Sequence, residues 1–445
     1  MPPAVDAPSG DALPPAVDLA DLCIMTDSVG DLILGRVSLI GLWRLRLVSH
    51  GVREAIKAFL VHLPRPCVFG GRHCSGGESV VYTDAEMLDL STMRWQRAWL
   101  PALPGPLCAA GACTDGAGGV IIVGGKAAPD AEASMCSWRC DPSIGAWTPL
   151  PALRSPRVQP ALLKLADGRV LVAGGGTAEV EALAMEAESH DGRDGARWDE
   201  LPELRCKPTC SQRRTGTVGG VLLDGRAVLA SGCRDTVSTS EEGWEGCRPG
   251  DDEVLCSSVY DPANGSWGVA PRLWTPRWDA AGCVLPSGRL AVVGGIFSRS
   301  REQNGFREVD STVYQVVDTY VASVEAFDPE INRAMQVAEA DTASTSPRMA
   351  QHRWRASELA PSERWTTLPD MSCGPRAGLC AVPVAGGMLV MGGRDTDETL
   401  RTAELFDEES ATWVELPHPM LRARDLAAAT TVSPTVWRQW EDNRG

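Results

Sequence analysis

A short apolar run that ends in a diglycine recurs along this chain, and it limits what the chain can fold into. The clearest copy is Val170-Leu171-Val172-Ala173-Gly174-Gly175. Ile121-Ile122-Val123-Gly124-Gly125, Leu290-Ala291-Val292-Val293-Gly294-Gly295 and Met388-Leu389-Val390-Met391-Gly392-Gly393 repeat it. Val68-Phe69-Gly70-Gly71 is a truncated early copy, and Val228-Leu229-Ala230-Ser231-Gly232 carries Ser for the first Gly. Self-similarity at such a period marks one supersecondary unit stacked on its neighbours.

Each copy has the same surround. Two-residue turns precede four of them: Asp167-Gly168, Asp224-Gly225, Ser287-Gly288 and Gly386-Gly387. Such a turn between apolar runs signals a hairpin, because Gly tolerates the positive φ that tight hairpins need. After the diglycine comes a loop, then a short strand such as Ser258-Val259-Tyr260-Asp261, Val324-Glu325-Ala326-Phe327 or Ala403-Glu404-Leu405-Phe406. A Trp followed by Leu-Pro or a close variant ends the unit, at Trp95, Trp147, Trp198, Trp267, Trp365 and Trp413. The unit is therefore four antiparallel strands, a to d, which bury both faces only against neighbouring units around an axis. The Trp reads as an apolar plug between blades.

The diglycine, the aromatic-Asp-Pro strand and the Trp-x-x-Leu-Pro together resemble the kelch repeat. The resemblance covers residues 67–432 and implies a mainly β fold, a six-bladed propeller. The first unit lacks an a strand, and the stretch Arg422 to Val432 after the last Trp looks like an a strand with no b strand to follow. The C-terminal strand is expected to complete blade one and close the ring, which removes exposed edges.

The blades are unequal. Second-glycine spacings run 54, 50, 57, 63 and 98 residues from Gly71 to Gly393. The excess lies in an acidic loop at 233–253, an insertion at 296–321 and a polar insertion at 330–363. Strand alternation places the first two on the mouth formed by b–c and d–a connections and the third on the opposite mouth. Loops of this length are functional or disordered.

Composition excludes several classes. A net charge of −16 over 445 residues opposes binding to nucleic acid or to an anionic membrane. No run reaches the ~18 apolar residues of a membrane span, and no signal peptide is evident. Fifteen scattered Cys fit a reducing cytoplasmic or nuclear setting with free thiols better than a disulfide framework. The pairs Cys136/Cys140 and Cys206/Cys210 are too widely spaced and too isolated for the usual zinc modules. No metal site or other cofactor is expected.

Residues 1–20 are Pro-, Ala- and Asp-rich and too poor in apolar mass to order. Residues 21–62 change to a helical period, with Leu42-Trp43-Arg44-Leu45-Arg46-Leu47-Val48-Ser49 followed by Arg53. This string resembles the second half of the F-box. The resemblance implies docking to the Skp-type linker of a cullin-RING ubiquitin ligase through Leu32, Ile33, Leu42, Leu45 and Val48. The usual Leu-Pro start is replaced by Asp27-Ser28-Val29-Gly30. The alternative is a helical cap that only packs on the propeller. Residues 433–445 form a C-terminal tail.

Five a strands are entered through an Arg: Arg157, Arg214, Arg277, Arg376 and Arg424; the second blade has Leu107 there. With strand a innermost in kelch propellers, these Arg are expected around the central opening. There they would either capture carboxylates of an acidic partner motif or bond the neighbouring blade and support the fold. His is sparse and dispersed, and no nucleophile-base arrangement, His-Glu-x-x-His or phosphate loop appears, so no catalytic residue is named. The sequence thus favours a monomeric protein-interaction module, the substrate-recognition subunit of an SCF-type ligase. The alternatives are a kelch scaffold without a ligase role and a propeller enzyme with a metal at its mouth.

Overall fold

The computed structural model describes residues 34–434 except 99, 142–144, 186–194, 208–209, 212–213, 235–256, 272, 303–313 and 329–364. Six four-stranded antiparallel sheets stand around one axis, each in the order a-b-c-d. Blade 3 shows the pattern. Strand a is Ala161–Lys164, b Val170–Ala173, c Val180–Ala184 and d Arg197–Leu201. Blade 2 begins at Cys108–Thr114, blade 4 at Val218–Val221, blade 5 at Ala281–Val284 and blade 6 at Cys380–Val384.

Blade 1 closes the ring as the sequence anticipates. Its strand a is Ala428–Val432, at the far end of the chain, and it pairs antiparallel with Arg65–Phe69, Phe69 opposite Ala428 and Arg65 opposite Val432. Strands c and d follow at Ala85–Asp89 and Arg94–Arg97. Residues more than 350 apart in sequence thus share one ladder, and every inner strand gains a partner.

The b strands read as unbroken apolar runs because both faces are buried, and period 2 divides them between two seams. Val120 and Ile122 pack toward blade 1, while Ile121 and Val123 pack toward blade 3. Leu171 and Ala173 meet blade 4, and Val228 and Ala230 meet blade 5. One apolar cluster fills each seam among the described residues.

The seam between blades 6 and 1 is larger because two helices join it. Helix α1 (Leu39–Leu45) is capped by Ser38, whose Oγ accepts from the Gly41 N–H, and α2 (His50–Leu60) by Ser49, which accepts from Val52. Leu39, Leu42, Val52, Ile56 and Leu60 pack with Leu88 and Met93 of blade 1 and Leu389 and Leu405 of blade 6. Polar contacts fix the helices on the face of the a–b and c–d turns. The Leu39 N–H donates to Ala385 O, the Trp43 indole to Leu90 O and the Arg46 guanidinium to Ser91 O, at 2.8, 3.2 and 2.7 Å.

The insertion at 296–321 is not an irregular loop. Ile296–Glu302 and Tyr314–Tyr320 form a hairpin after the blade 5 diglycine. Blade 1 carries a second hairpin, Arg72–Ser75 with Glu78–Val81, at the equivalent place. Most of the acidic loop and the 330–363 insertion lie outside the described residues.

Removing residues 426–445 is expected to abolish cooperative unfolding, because blade 1 loses its innermost strand and exposes an edge. A circular-dichroism melt checks this. A truncated chain that melts at the full-length midpoint would show that the ring does not depend on the closing strand.

Candidate functional site at the propeller mouth

The diglycines and the arginines meet at the mouth formed by the b–c and d–a connections. In every copy both residues take positive φ, for example 70° and 90° at Gly124-Gly125 and 63° and 90° at Gly392-Gly393. The second Gly N–H donates to the carbonyl of the residue that enters the next blade. Gly125 bonds Arg157 O, Gly295 bonds Arg376 O and Gly393 bonds Arg424 O, each at 2.8 Å. A Cβ on the first Gly has no room, since at Gly392 it would lie 2.5 Å from Arg424 O. Ser231, in the altered copy, takes φ 65° and turns its hydroxyl to good use, donating to Arg277 O at 2.6 Å.

The guanidinium groups point inward. Arg157, Arg277, Arg376 and Arg424 are 0 to 2% exposed. Each donates to a carboxylate on the second residue of its own blade's strand c. The pairs are Arg157–Glu181 (2.8 Å), Arg277–Glu325 (2.5 Å), Arg376–Glu404 (3.1 Å) and Arg424–Glu86 (2.7 Å). Each also donates to the carbonyl of the first residue of the diglycine in its own blade, as Arg157 does to Gly174 O at 2.8 Å. The Glu carboxylates accept backbone N–H groups of the connection that carries the Arg: Leu421 and Arg422 on Glu86, Trp274 and Thr275 on Glu325, Ser372 and Cys373 on Glu404. Burial tends to lower the pKa of Arg157 and Arg277, and their Glu partners oppose it. The expected solvent-facing Arg ring is therefore corrected at these four positions. A guanidinium this deep is stable only when paired in place, and it has no surface to offer a ligand. The side chain of Arg214 lies outside the described residues.

The Glu residues are functional partners that the sequence reading missed. Their signal was present: a lone Glu recurs in otherwise apolar strands as Ala85-Glu86, Val180-Glu181, Val324-Glu325 and Ala403-Glu404. Blade 2 lacks both partners. Leu107 stands for the Arg, and Trp138, paired with Ile122 as Glu181 is with Val172, stands for the Glu.

At the outer edge the Trp residues are half-buried in most blades rather than sealed plugs. Their indole N–H donates to the Pro carbonyl of the previous blade's Leu-Pro or its variant: Trp147 to Pro101, Trp198 to Pro151, Trp267 to Pro202, Trp365 to Pro271 and Trp413 to Pro369, at 2.8 to 3.0 Å.

Two residues beyond the Arg position, Ala109, Gln159, Gly216, Asp279, Gly378 and Leu426 all take positive φ of 50° to 65°. They form an inner belt. Gln159 N–H donates to Ala109 O, Ala109 to Leu426 O, Leu426 to Gly378 O and Gly378 to Asp279 O, at 2.7 to 2.8 Å. Below it runs an axial cavity of about 160 Å³, lined by Ala, Gly and other small residues of the a strands. Asp279 O accepts from one side of the belt, while its carboxylate accepts from Gln159 Nε2 at 2.7 Å. Burial pushes the Asp279 carboxyl above the usual range.

The residues after the diglycine complete the mouth. Arg72 forms a bidentate pair with the fully buried Asp425 at 3.1 and 3.2 Å, and Arg394 stands 3.6 Å from the same carboxylate. Among the described residues no group of three His, Cys, Asp or Glu side chains is placed to hold a metal. Burial raises the thiols of Cys140, Cys283 and Cys380 to about 12, far from the reactive thiolate range.

Of the residues expected to dock a linker, Leu42 is fully buried against the propeller and is corrected to a packing residue. Leu45 is partly buried on the same cluster, Val48 is 65% exposed, and Leu32 and Ile33 lie outside the described residues. Leu47, beside Val48, is 81% exposed.

Six four-stranded blades, joined at most seams by diglycine-to-Arg bonds inside and Trp-to-Pro bonds outside, define a six-bladed β-propeller. The family model for the kelch motif matches residues 375–420, in blade 6, and the diglycine, strand c and Trp features of that blade recur around the ring. No curated protein matches the chain. Among solved structures, that of YjhT superposes with a TM-score of 0.51 at 12% identity, over 79% of this chain and 97% of that one. At that identity the likeness is one of fold.

Arg376→Leu is expected to destabilise the protein by about 3–5 kcal/mol, because it strands Glu404 in the interior. Arg376→Leu with Glu404→Met should recover much of the loss. Urea unfolding of both variants checks this, and equal losses would show that the pair is not coupled. Asp279→Asn has the opposite sign. A folded pKa raised above the unfolded one means that stability falls as pH rises through it. The Asn variant should therefore be more stable than wild type at pH 8, with the gap closing as pH is lowered. Thermal melts across pH test the sign.

Proposed function

We propose that this protein is a non-catalytic binding propeller that holds a protein partner at the mouth built by its b–c and d–a connections. The kelch fold supports an interaction role. The observation that carries the placement is the division of labour among the repeat residues. The four Arg–Glu pairs are buried, the glycines are held by the next blade and five Trp are bonded at the outer edge, so the b–c connections are what stands at this mouth and differs from blade to blade. Two of these contain antiparallel strand pairs, 72–75 with 78–81 and 296–302 with 314–320, on the same mouth. Rigid scaffolds present their recognition residues on such loops. The nine free thiols among the described residues fit action in a reducing compartment, as a monomer in the cytoplasm or nucleus.

A ligase-adaptor role is the second reading. It is supported by the F-box-like string and by Leu47 and Val48, neighbouring apolar side chains that are largely exposed beside helices whose apolar face is packed on the propeller. Burial of Leu42 weighs toward the cap. Purified protein and its Leu47→Asp/Val48→Asp variant are compared for capture of the Skp-type linker. Binding by the wild type and loss of at least tenfold affinity in the variant supports the adaptor; absence of binding by both leaves the helices as a cap. For the mouth, replacing the hairpin tip 75–78 by Gly-Ser should remove a captured protein partner that a variant of the opposite face, Arg169→Ala, retains. Equal capture by both overturns the placement.

A further inference from the structure

The inner belt is interrupted at blade 4. Four backbone bonds run without a break from Gln159 of blade 3 through Ala109, Leu426 and Gly378 to Asp279 of blade 5. Among the described residues no such bond joins Gly216, the blade 4 member, to either neighbour. Instead the Gln159 side chain donates to the Asp279 carboxylate at 2.7 Å, a link from blade 3 to blade 5 that passes blade 4 by.

The innermost strand of blade 4 is also the poorest in side chains. It reads Val218-Gly219-Gly220-Val221, whereas the other five a strands hold one Gly or none. Gly inside a strand weakens it, because it loses more backbone freedom and packs no side chain. The neighbours impose this choice. A Cβ on Gly219 would lie 2.7 Å from Leu229 Cδ2, and one on Gly220 would lie 2.5 Å from Val284 Cγ2.

Polar satisfaction points to the same blade. Thr217, Ser257 and Ser258 are buried, and theirs are the only buried hydroxyls without a partner among the described residues. All three belong to blade 4, where Ser258 stands in the place of the strand c Glu. A buried hydroxyl without a partner carries its desolvation cost in the closed state and regains hydration once water reaches it. Opening this blade is therefore less costly than opening one whose polar groups are paired.

The rest of blade 4 is firmly held. Outside, Trp267 donates to Pro202 O at 2.8 Å and Trp365 to Pro271 O at 3.0 Å. At the mouth, the Gly232 N–H and the Ser231 hydroxyl both donate to Arg277 O. Blade 2, which also lacks the Arg–Glu pair, keeps a belt bond on each side of Ala109 and has a seven-residue strand a, Cys108–Thr114. At the closing seam Leu426 is bonded on both sides, five residue pairs join strands a and b, and two helices pack beneath.

We infer that the ring opens at blade 4 and not at the seam that joins its chain ends. Strand a of blade 4 parts locally from strand b while the outer strands stay in place. Gly216, Thr217, Val218 and Gly219 form one wall of the axial cavity, so the same motion opens that cavity from the side.

Hydrogen–deuterium exchange of the full chain, read by mass spectrometry and normalised for intrinsic rates, tests this. Protection over 217–230 should be about tenfold lower than over 161–173 of blade 3, and lower by a similar factor than over 65–69 and 428–432 of blade 1. Thr217→Val with Ser258→Ala removes two of the unpartnered hydroxyls with little change of shape. It should raise protection over 217–230 by about tenfold and leave blade 3 unchanged. Ser257→Ala serves as the second variant if the first loses the wild-type circular-dichroism spectrum. Equal protection in all blades, earliest exchange in the chain-end strands of blade 1, or an unchanged profile in the folded variant overturns the inference.

Discussion

Four of the six seams of this propeller rest on one kind of junction, where a buried Arg is held by its own blade and holds the blade before it. Its carbonyl accepts the N–H of the preceding diglycine, and its guanidinium is neutralised by the strand c Glu. Removing two charges from water costs several kcal/mol per ion, and only close geometry with further hydrogen bonds offsets it. Here the Glu also takes backbone N–H groups of the d–a connection, so the same carboxylate neutralises the Arg and fixes the connection. The left-handed diglycine is required because the next blade's carbonyl occupies the space of a Cβ. Sequence signature and seam chemistry are thus one fact.

The exceptions fit the same account. Blade 2 has lost both members, with Leu107 and Trp138 in place of Arg and Glu, which avoids a stranded charge. Blade 4 has Ser258 in the Glu position, opposite Leu229, and the hydroxyls of Ser257 and Ser258 are buried without partners among the described residues. At the closing seam the outer bond is missing: the Trp95 indole N–H has no acceptor. There the helices α1 and α2 pack instead, adding Leu39, Leu42 and Ile56 to the apolar cluster shared by blades 6 and 1. Apolar burial at about 25 cal/mol per Å² reinforces the seam that joins the two ends of the chain.

With the repeat residues engaged in the framework, the positions that break the repeat are the ones left to vary. The hairpins, the residue after each diglycine and the side chain at Asp279 differ between blades while the framework stays constant. The narrow axial cavity, lined by small a-strand residues, carries the belt of positive-φ residues on its rim.

The number of blades, the strand order within each and the closing role of the stretch from Arg422 to Val432 were determined by sequence alone. They follow from local rules: period, turn residues and the complementarity of an orphan a strand with an orphan b strand. Turn chemistry and alternation act over a few residues and need no knowledge of neighbours. The direction of the Arg side chains was decided only by tertiary structure. Arg157 looks the same in sequence whether it faces solvent or Glu181, and the choice is made by the low dielectric of the seam and by a carboxylate 24 residues away. The same holds for Leu42, whose apolar face had two possible partners until blades 1 and 6 met beneath it. It holds as well for Arg72 and Arg394, more than 320 residues apart, which share the Asp425 carboxylate only because the ring closes.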